Sequence, residues 1–216
     1  MTTLTTTPEQ GKLLNLFKTP KLIGSIGDAD EGKSNMLYWI INTLQVSYNF
    51  SMYSYGLRVS LGEQKIYSVE ELEIIHNSII IIDEFANMFD IDDRKEKKQI
   101  ERTLRLIFHN NNVVLLCGLP ENYKKFIASK LDAMIFKKCA LSDFINGSRV
   151  KKVAFNYEGQ EQGAAVLNIP LDQAIMYDGT HYTHVGIPLL SEYDTKANNP
   201  TILKEKRTEK RTEKRS

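Results

Sequence analysis

The residues best placed to do chemistry are Gly27-Asp28-Ala29-Asp30-Glu31-Gly32-Lys33-Ser34 and Asp83-Glu84. The first run matches G-x-x-x-x-G-K-[ST] at every fixed position, the spacing of a loop wrapped round a phosphate. Two glycines let the backbone turn tightly and aim N–H groups inward, at the positive end of the helix that follows. A lysine at the start of that helix reaches the outer phosphates of a nucleotide, and the hydroxyl after it suits Mg²⁺. The nucleotide-binding residues are therefore Gly27, Asp28, Ala29, Asp30, Glu31, Gly32, Lys33, Ser34 and the adjoining Asn35. Asp28, Asp30 and Glu31 oppose an anion, so their side chains must point outward or be offset by cations.

Asp83-Glu84 closes Ser78-Ile79-Ile80-Ile81-Ile82. Four consecutive isoleucines predict a strand buried on both faces of a parallel sheet. In such sheets ligands bind off the carboxyl ends of the strands, which places these carboxylates beside the phosphate loop. Asp83 would then hold Mg²⁺ with Ser34, while Glu84 would orient and deprotonate an attacking water. ATP and Mg²⁺ are the cofactors that the two motifs require together.

The surrounding pattern supplies the elements. Leu22–Ile26 reads as the strand before the loop, and the helix opened by Lys33 runs to about Gln45. Thr7-Pro8-Glu9-Gln10 is a helix start, with Thr as N-cap, Pro in the first turn and Gln closing a capping box; that helix ends near Lys18. Val46–Tyr55 predicts a second strand, and Ser68-Val69-Glu70-Glu71 a second capping box, opening a helix to Ile75. Arg94–Phe108 is helical, with Ile100, Leu104, Ile107 and Phe108 on one face. Val113–Cys117 is a short buried strand, Glu121–Leu131 a helix with Phe126 and Ile127 facing inward, and Ala133–Lys137 a further strand. Beyond Leu141, Arg149–Tyr157 and Ala164–Ile169 predict strands paired across Glu158 to Gly163, and Leu171–Met176 a helical turn. The expected fold class is α/β, a mostly parallel central sheet flanked by helices with a small β-rich C-terminal extension. Residues 1–20 form a tail and short helix, 21–140 the core, 141–200 the extension of the same domain, and 201–216 a basic charged tail.

Composition sets the bounds. The 216 residues suffice for one α/β domain with a real core. The start is polar, no signal peptide is evident and no apolar run reaches bilayer length, so no membrane span and a cytoplasmic location are expected. Cys117 and Cys139 lie in apolar or amphipathic segments without metal-ligand spacing and read as buried thiols. His181-Tyr182-Thr183-His184 lacks a third ligand and reads as ordinary strand or loop. From Lys204 to Ser216 seven basic residues face three glutamates, leaving 21 basic and 24 acidic residues elsewhere, so the basic character sits in the tail. That tail is either solvated or an electrostatic arm for nucleic acid.

A catalytic Glu directly after a metal-binding Asp, downstream of Gly27–Ser34, resembles the additional-strand class of P-loop ATPases. That resemblance implies a three-layer P-loop NTPase fold in which Val113–Cys117 is inserted between the phosphate-loop strand and the Asp83-Glu84 strand. Within the class the chain looks most like FtsK–HerA-type translocases, including the genome-packaging ATPases of tailless viruses and phages. The features that carry this are the compact core of about Lys21 to Lys138 without a lid, the basic helix after Ile79–Phe85, and the segment Asn122 to Lys138. The resemblance implies a homo-oligomeric ring moving double-stranded DNA without reading its sequence, with capsid or portal proteins as further partners and, for a viral chain, the host cytoplasm as its location.

Ring ATPases of this kind present an arginine to the neighbouring subunit's γ-phosphate. Arg102, Arg105 and Arg149 are the candidates, with Arg105 favoured as a catalytic residue beside Lys33 and Glu84; a solvated basic face is the plain alternative. Arg94, Lys95, Lys97 and Lys98 are candidate DNA contacts, to which Lys124, Lys125, Lys137 and Lys138 add. One departure stands out. The family commonly ends the inserted strand with a polar side chain that touches the γ-phosphate, but Leu116-Cys117-Gly118-Leu119-Pro120 offers no amide. Asn122 substitutes only if the loop folds back. The competing function is a nucleotide-regulated phage assembly or secretion ATPase, Zot-like, that does not act on DNA. A small-molecule kinase is disfavoured by the water-activating Glu84 and the lack of an Arg-rich lid.

Overall fold

In the computed structural model residues 7–47, 50–57, 61–93, 96–156 and 164–189 are described. Helix α1 (Pro8–Asn15) begins with the predicted capping box: the Gln10 N–H donates to Thr7 Oγ1 and the Thr7 N–H to Gln10 Oε1. A 3-10 turn, Leu16–Lys18, leads into β1 (Lys21–Ile26), and the phosphate-loop sequence connects β1 to α2 (Lys33–Ser47). There follow β2 (Ser51–Tyr55), the short β3 (Gln64–Lys65), α3 (Val69–Glu73), β4 (Ser78–Ile82), α4 (Glu96–His109), β5 (Val113–Gly118), α5 (Lys125–Ala128) and β6 (Ala133–Phe136). The chain then continues through α6 (Arg149–Phe155) and α7 (Ala164–Leu167) to β7 (Gln173–Tyr177) and β8 (Tyr182–Gly186).

One sheet holds all eight described strands in the order β3-β2-β4-β5-β1-β6-β7-β8. The six strands from β3 to β6 pair in parallel, and β7 and β8 add an antiparallel edge. The inserted strand is where the resemblance puts it, since β5 lies between β4 and β1. Alternation along the strands divides the core. Ile23, Ile79, Ile81 and Leu115 pack with Leu13, Met36, Leu37 and Ile40 of α1 and α2. Leu22, Ile80, Ile82 and Leu116 pack on the other face with Leu72, Ile100, Leu104, Ile127 and Val153 of α3 to α6. This gives three layers, helix on sheet on helix, and explains the unbroken isoleucine run: every residue of β4 is buried.

Several local expectations are corrected. Val46 belongs to α2, and β2 starts only at Ser51. Ser68 makes no capping bond to the helix backbone, and Glu71 accepts instead from the Tyr67 N–H. Phe108 is exposed rather than on the buried face of α4. The expected long helix over Glu121–Leu131 is a 3-10 turn, Pro120–Asn122, followed by the single-turn α5. Arg149–Phe155 and Ala164–Leu167 are helices, not strands. Ser148 Oγ caps α6 on the Lys151 N–H, and Val150, Val153 and Ala154 are buried at helical spacing. Conversely, the predicted helical turn at Leu171–Met176 is strand β7, whose buried Ala174-Ile175-Met176 face both layers of the core. The expected turn at Glu158 to Gly163, the N-terminal residues to Thr6, Arg94, Lys95 and the basic tail lie outside the described residues. No helix among the described residues is long and apolar enough to cross a membrane.

Candidate nucleotide site

The loop after β1 is built round Lys33. This side chain is buried at the first position of α2, and its Nζ donates to the Gly27 and Asp28 carbonyls at 2.7 Å each. Gly32 has φ +79°, a left-handed backbone that glycine adopts without strain. Gly27 is needed for a different reason: a Cβ there would lie 2.7 Å from Lys137 Cβ. Asp28 and Glu31 have partners within the chain. Asp28 Oδ2 accepts from the Ala140 N–H at 2.7 Å, and Glu31 pairs with Lys138 at 3.0 Å. Asp30 is exposed. The segment after β6 thus supplies partners for Asp28 and Glu31 from within the chain.

Asp83 and Glu84 leave β4 at the same edge. In register, Ile82 of β4 pairs with Leu116 of β5, and Gly118 of β5 with Ile26 of β1. The two motifs are therefore separated by one strand, about 10 Å between the β1 and β4 axes, room for a phosphate and a small cation. Asp83 is nearly buried; its N–H donates to Tyr55 O, and its Oδ1 accepts from the Glu84 N–H at 3.2 Å. Glu84 sits at φ 48°, ψ 56°, a left-handed conformation unusual for a glutamate. Gly56, φ +79°, closes over this turn: a Cβ on it would lie 2.5 Å from Asp83 O. The oxygen-only pair of Ser34 hydroxyl and Asp83 carboxylate is a donor set that fits Mg²⁺.

The inserted strand ends between the motifs. Burial pushes the Cys117 thiol well above its usual range, and the charge of Asp83 adds to this, so the residue is an inert neutral group. Past Gly118 the chain does fold back. The Asn122 N–H donates to Leu119 O and the Tyr123 N–H to Pro120 O, and this turn carries the Asn122 amide to 3.4 Å from where a Gly118 Cβ would be. Tyr123 is fully buried. Its hydroxyl reaches Ser25 O at 2.9 Å and Leu116 O at 2.7 Å, and its ring meets Phe85 edge-on at 5.0 Å. One side chain thus ties the ends of β1 and β5 to the turn after Glu84.

The remaining candidates disperse. Arg102 and Arg105 are exposed on α4, off the buried face of Ile100, Leu104 and Ile107. Arg149 is half-buried, and its Nη1 donates to Leu131 O, a brace within the chain. Lys97 lies over the Phe126 ring at 5.3 Å, Lys98 is exposed, and Lys124 pairs with Asp92. Lys137, expected on a DNA-facing surface, is fully buried beside the loop; no motif or spacing marks Lys137, Gly56 or Tyr123 as neighbours of the loop or of Asp83-Glu84. His181 Nδ1 lies 2.8 Å from Thr180 Oγ1, and no group of three metal-ligating side chains occurs among the described residues.

No protein-family model matches the chain, and no curated protein does. Solved structures do. The genome packaging NTPase B204 of Sulfolobus turreted icosahedral virus 2 in complex with ATP-γS superposes with a TM-score of 0.58 at 13% identity, over 79% of this chain and 98% of that one. B204 of Sulfolobus turreted icosahedral virus, described as the DNA-packaging ATPase, gives 0.57 at 14% identity over 79% and 98%. The pCW3 conjugation coupling protein TcpA with ATPγS gives 0.52 at 13% identity over 81% and 62%. The fold is that of a P-loop NTPase. Gly27–Ser34 spans the turn from β1 into α2, and Asp83-Glu84 follows β4, the neighbouring strand but one.

Proposed function

We propose that this protein is a Mg²⁺-dependent ATPase that acts as an oligomeric motor on double-stranded DNA, packaging a genome into a capsid. The observation that carries the reading is the placement of Lys33 and of Asp83-Glu84 at one sheet edge, with the inserted strand between them. The packaging and coupling roles of the similar structures support the choice of DNA as the moved substrate.

Each residue then has a task. The Lys33 ammonium exchanges the Gly27 and Asp28 carbonyls for the β- and γ-phosphates, while Gly27 and Gly32 keep the backbone close to them. Ser34 and Asp83 would hold Mg²⁺, which when bound neutralises charge on the outer phosphates. Glu84 orients a water in line with the γ-phosphorus and takes its proton. The Asn122 amide, brought back over Gly118, takes the place of the missing strand-end sensor.

Hydrolysis measured with and without double-stranded DNA at two salt concentrations tests the reading. DNA should stimulate turnover, and less so at the higher salt. Glu84→Gln should retain ATP binding and lose turnover by about a thousandfold or more. Parental turnover in Glu84→Gln would remove Glu84 from the chemistry; robust turnover indifferent to DNA at both salts would favour the assembly or secretion ATPase.

A further inference from the structure

Lysine is seldom fully buried without a reason. Lys137 has no exposed surface. It directly follows β6, where its N–H donates to Ile26 O at 2.8 Å, level with the start of the phosphate loop. Its side chain runs along that loop. A Cβ on Gly27 would lie 2.7 Å from Lys137 Cβ, and a Cβ on Gly32 would lie 3.5 Å from its Cε and 3.6 Å from its Nζ.

The ammonium ends on three backbone carbonyls: Leu171 O at 2.6 Å, Pro170 O at 3.5 Å, and Gln173 O. Three acceptors match the three N–H bonds of an ammonium, one more than a neutral amine supplies. Leu171 O also lies 3.3 Å from the Gly32 Cβ position, so loop, lysine and the stretch entering β7 pack as one unit. Burial lowers this ammonium to about 8, against the pull of Asp172 and Glu31. The other charges nearby are engaged elsewhere: Lys33 on loop carbonyls, Asp28 on the Ala140 N–H, and Lys138 on Glu31.

We propose that Lys137 is a positioning residue for nucleotide binding: its ammonium holds the Gly27–Gly32 loop against Pro170–Gln173 and keeps a fixed positive charge beside the phosphates. The inference deepens the nucleotide-site reading and rests on it. Because the charge stays in place throughout the reaction, it favours bound ADP, bound ATP and the transition state alike; it acts on affinity and leaves turnover at saturation nearly unchanged.

The experiment compares the wild-type chain with Lys137→Met and Lys137→Gln, by calorimetry with ADP at pH ~7.5 and ~9.5 and by steady-state hydrolysis. Across that range a terminal phosphate, whose second ionisation lies near ~6, keeps its charge. At the lower pH both variants should bind ADP about tenfold more weakly, with kcat within about threefold of wild type. Wild-type affinity should fall by a similar factor as Lys137 loses its proton with rising pH, while the variants should be nearly flat. A folded variant with wild-type affinity, or one that loses kcat and keeps its affinity, overturns the inference. If neither variant folds, an unchanged wild-type affinity between the two pH values overturns it. A wild-type chain that binds no ADP at all overturns the nucleotide-site reading, and this inference with it.

Discussion

At Gly56 the absence of a side chain does structural work for a residue far along the sequence. Its φ of +79° and the 2.5 Å separation between a would-be Cβ and Asp83 O leave alanine no unstrained position. The left-handed conformation alone costs about 1–2 kcal/mol, and the clash is with backbone, so it is relieved only by moving Asp83. Gly56→Ala should therefore lower hydrolysis at least ~10-fold, through misplacement of Asp83 and Glu84, and lower the Tm by several degrees. Parental turnover with a lowered Tm would show that the turn absorbs the shift without displacing the carboxylates. The contrast with Gly32 explains what is legible in a sequence. Gly32 sits in a pattern whose spacing is set by the ligand, so its role is readable from its neighbours. Gly56 is required by a partner that only the β2–β4 pairing brings near, and Lys137 by carbonyls that only β7 brings near. A lysine after a strand otherwise reads as solvated, which is why Lys137 was expected on the surface.

At the scale of elements, the sheet was more legible than the helices on its outer layer. Four isoleucines, or Val113 to Cys117, have few alternatives to a buried strand. Amphipathic stretches are ambiguous: Arg149 to Phe155 carries apolar residues that suit a strand at one spacing and a helix at another, and the Ser148 cap together with burial of Val150, Val153 and Ala154 decides for the helix. The most consequential difference is the break of the expected helix from Glu121. Tyr123 leaves the helical conformation, at φ −81°, ψ 68°, and this turns its side chain under β1 and β5 while Asn122 comes back over Gly118. The two neighbours should separate in experiment. Tyr123→Phe strips a buried hydroxyl from two strand-end carbonyls and should cost about 1–3 kcal/mol in denaturant unfolding. Asn122→Ala should barely alter stability and should lower kcat about tenfold with little change in ADP affinity. Equal loss of stability in both, with turnover intact in Asn122→Ala, would reduce the turn to a structural device.

At the scale of the whole molecule, the question is whether one chain completes its own site. Asp28 and Glu31 already find partners within the chain, in the Ala140 N–H and Lys138. Arg149 is held by Leu131 O within the chain, which leaves Arg102 and Arg105 as the exposed arginines of the original set. Both project from α4, the helix that follows the Asp83-Glu84 turn, on the side away from the core. In the closed ring of the proposed function, an arginine presented there would be supplied by each subunit to the next one's γ-phosphate. Arg105→Ala alone should then lose most ATP turnover while binding ADP normally. The decisive measurement mixes Arg105→Ala subunits with Glu84→Gln subunits, each inactive by itself. A site regains activity when its own Glu84 is intact and its neighbour's Arg105 is intact, which random assembly of equal amounts satisfies at about a quarter of the interfaces. Recovery of roughly that fraction of wild-type turnover places Arg105 in the neighbouring subunit's site, whereas a mixture no more active than its parents removes it from that role.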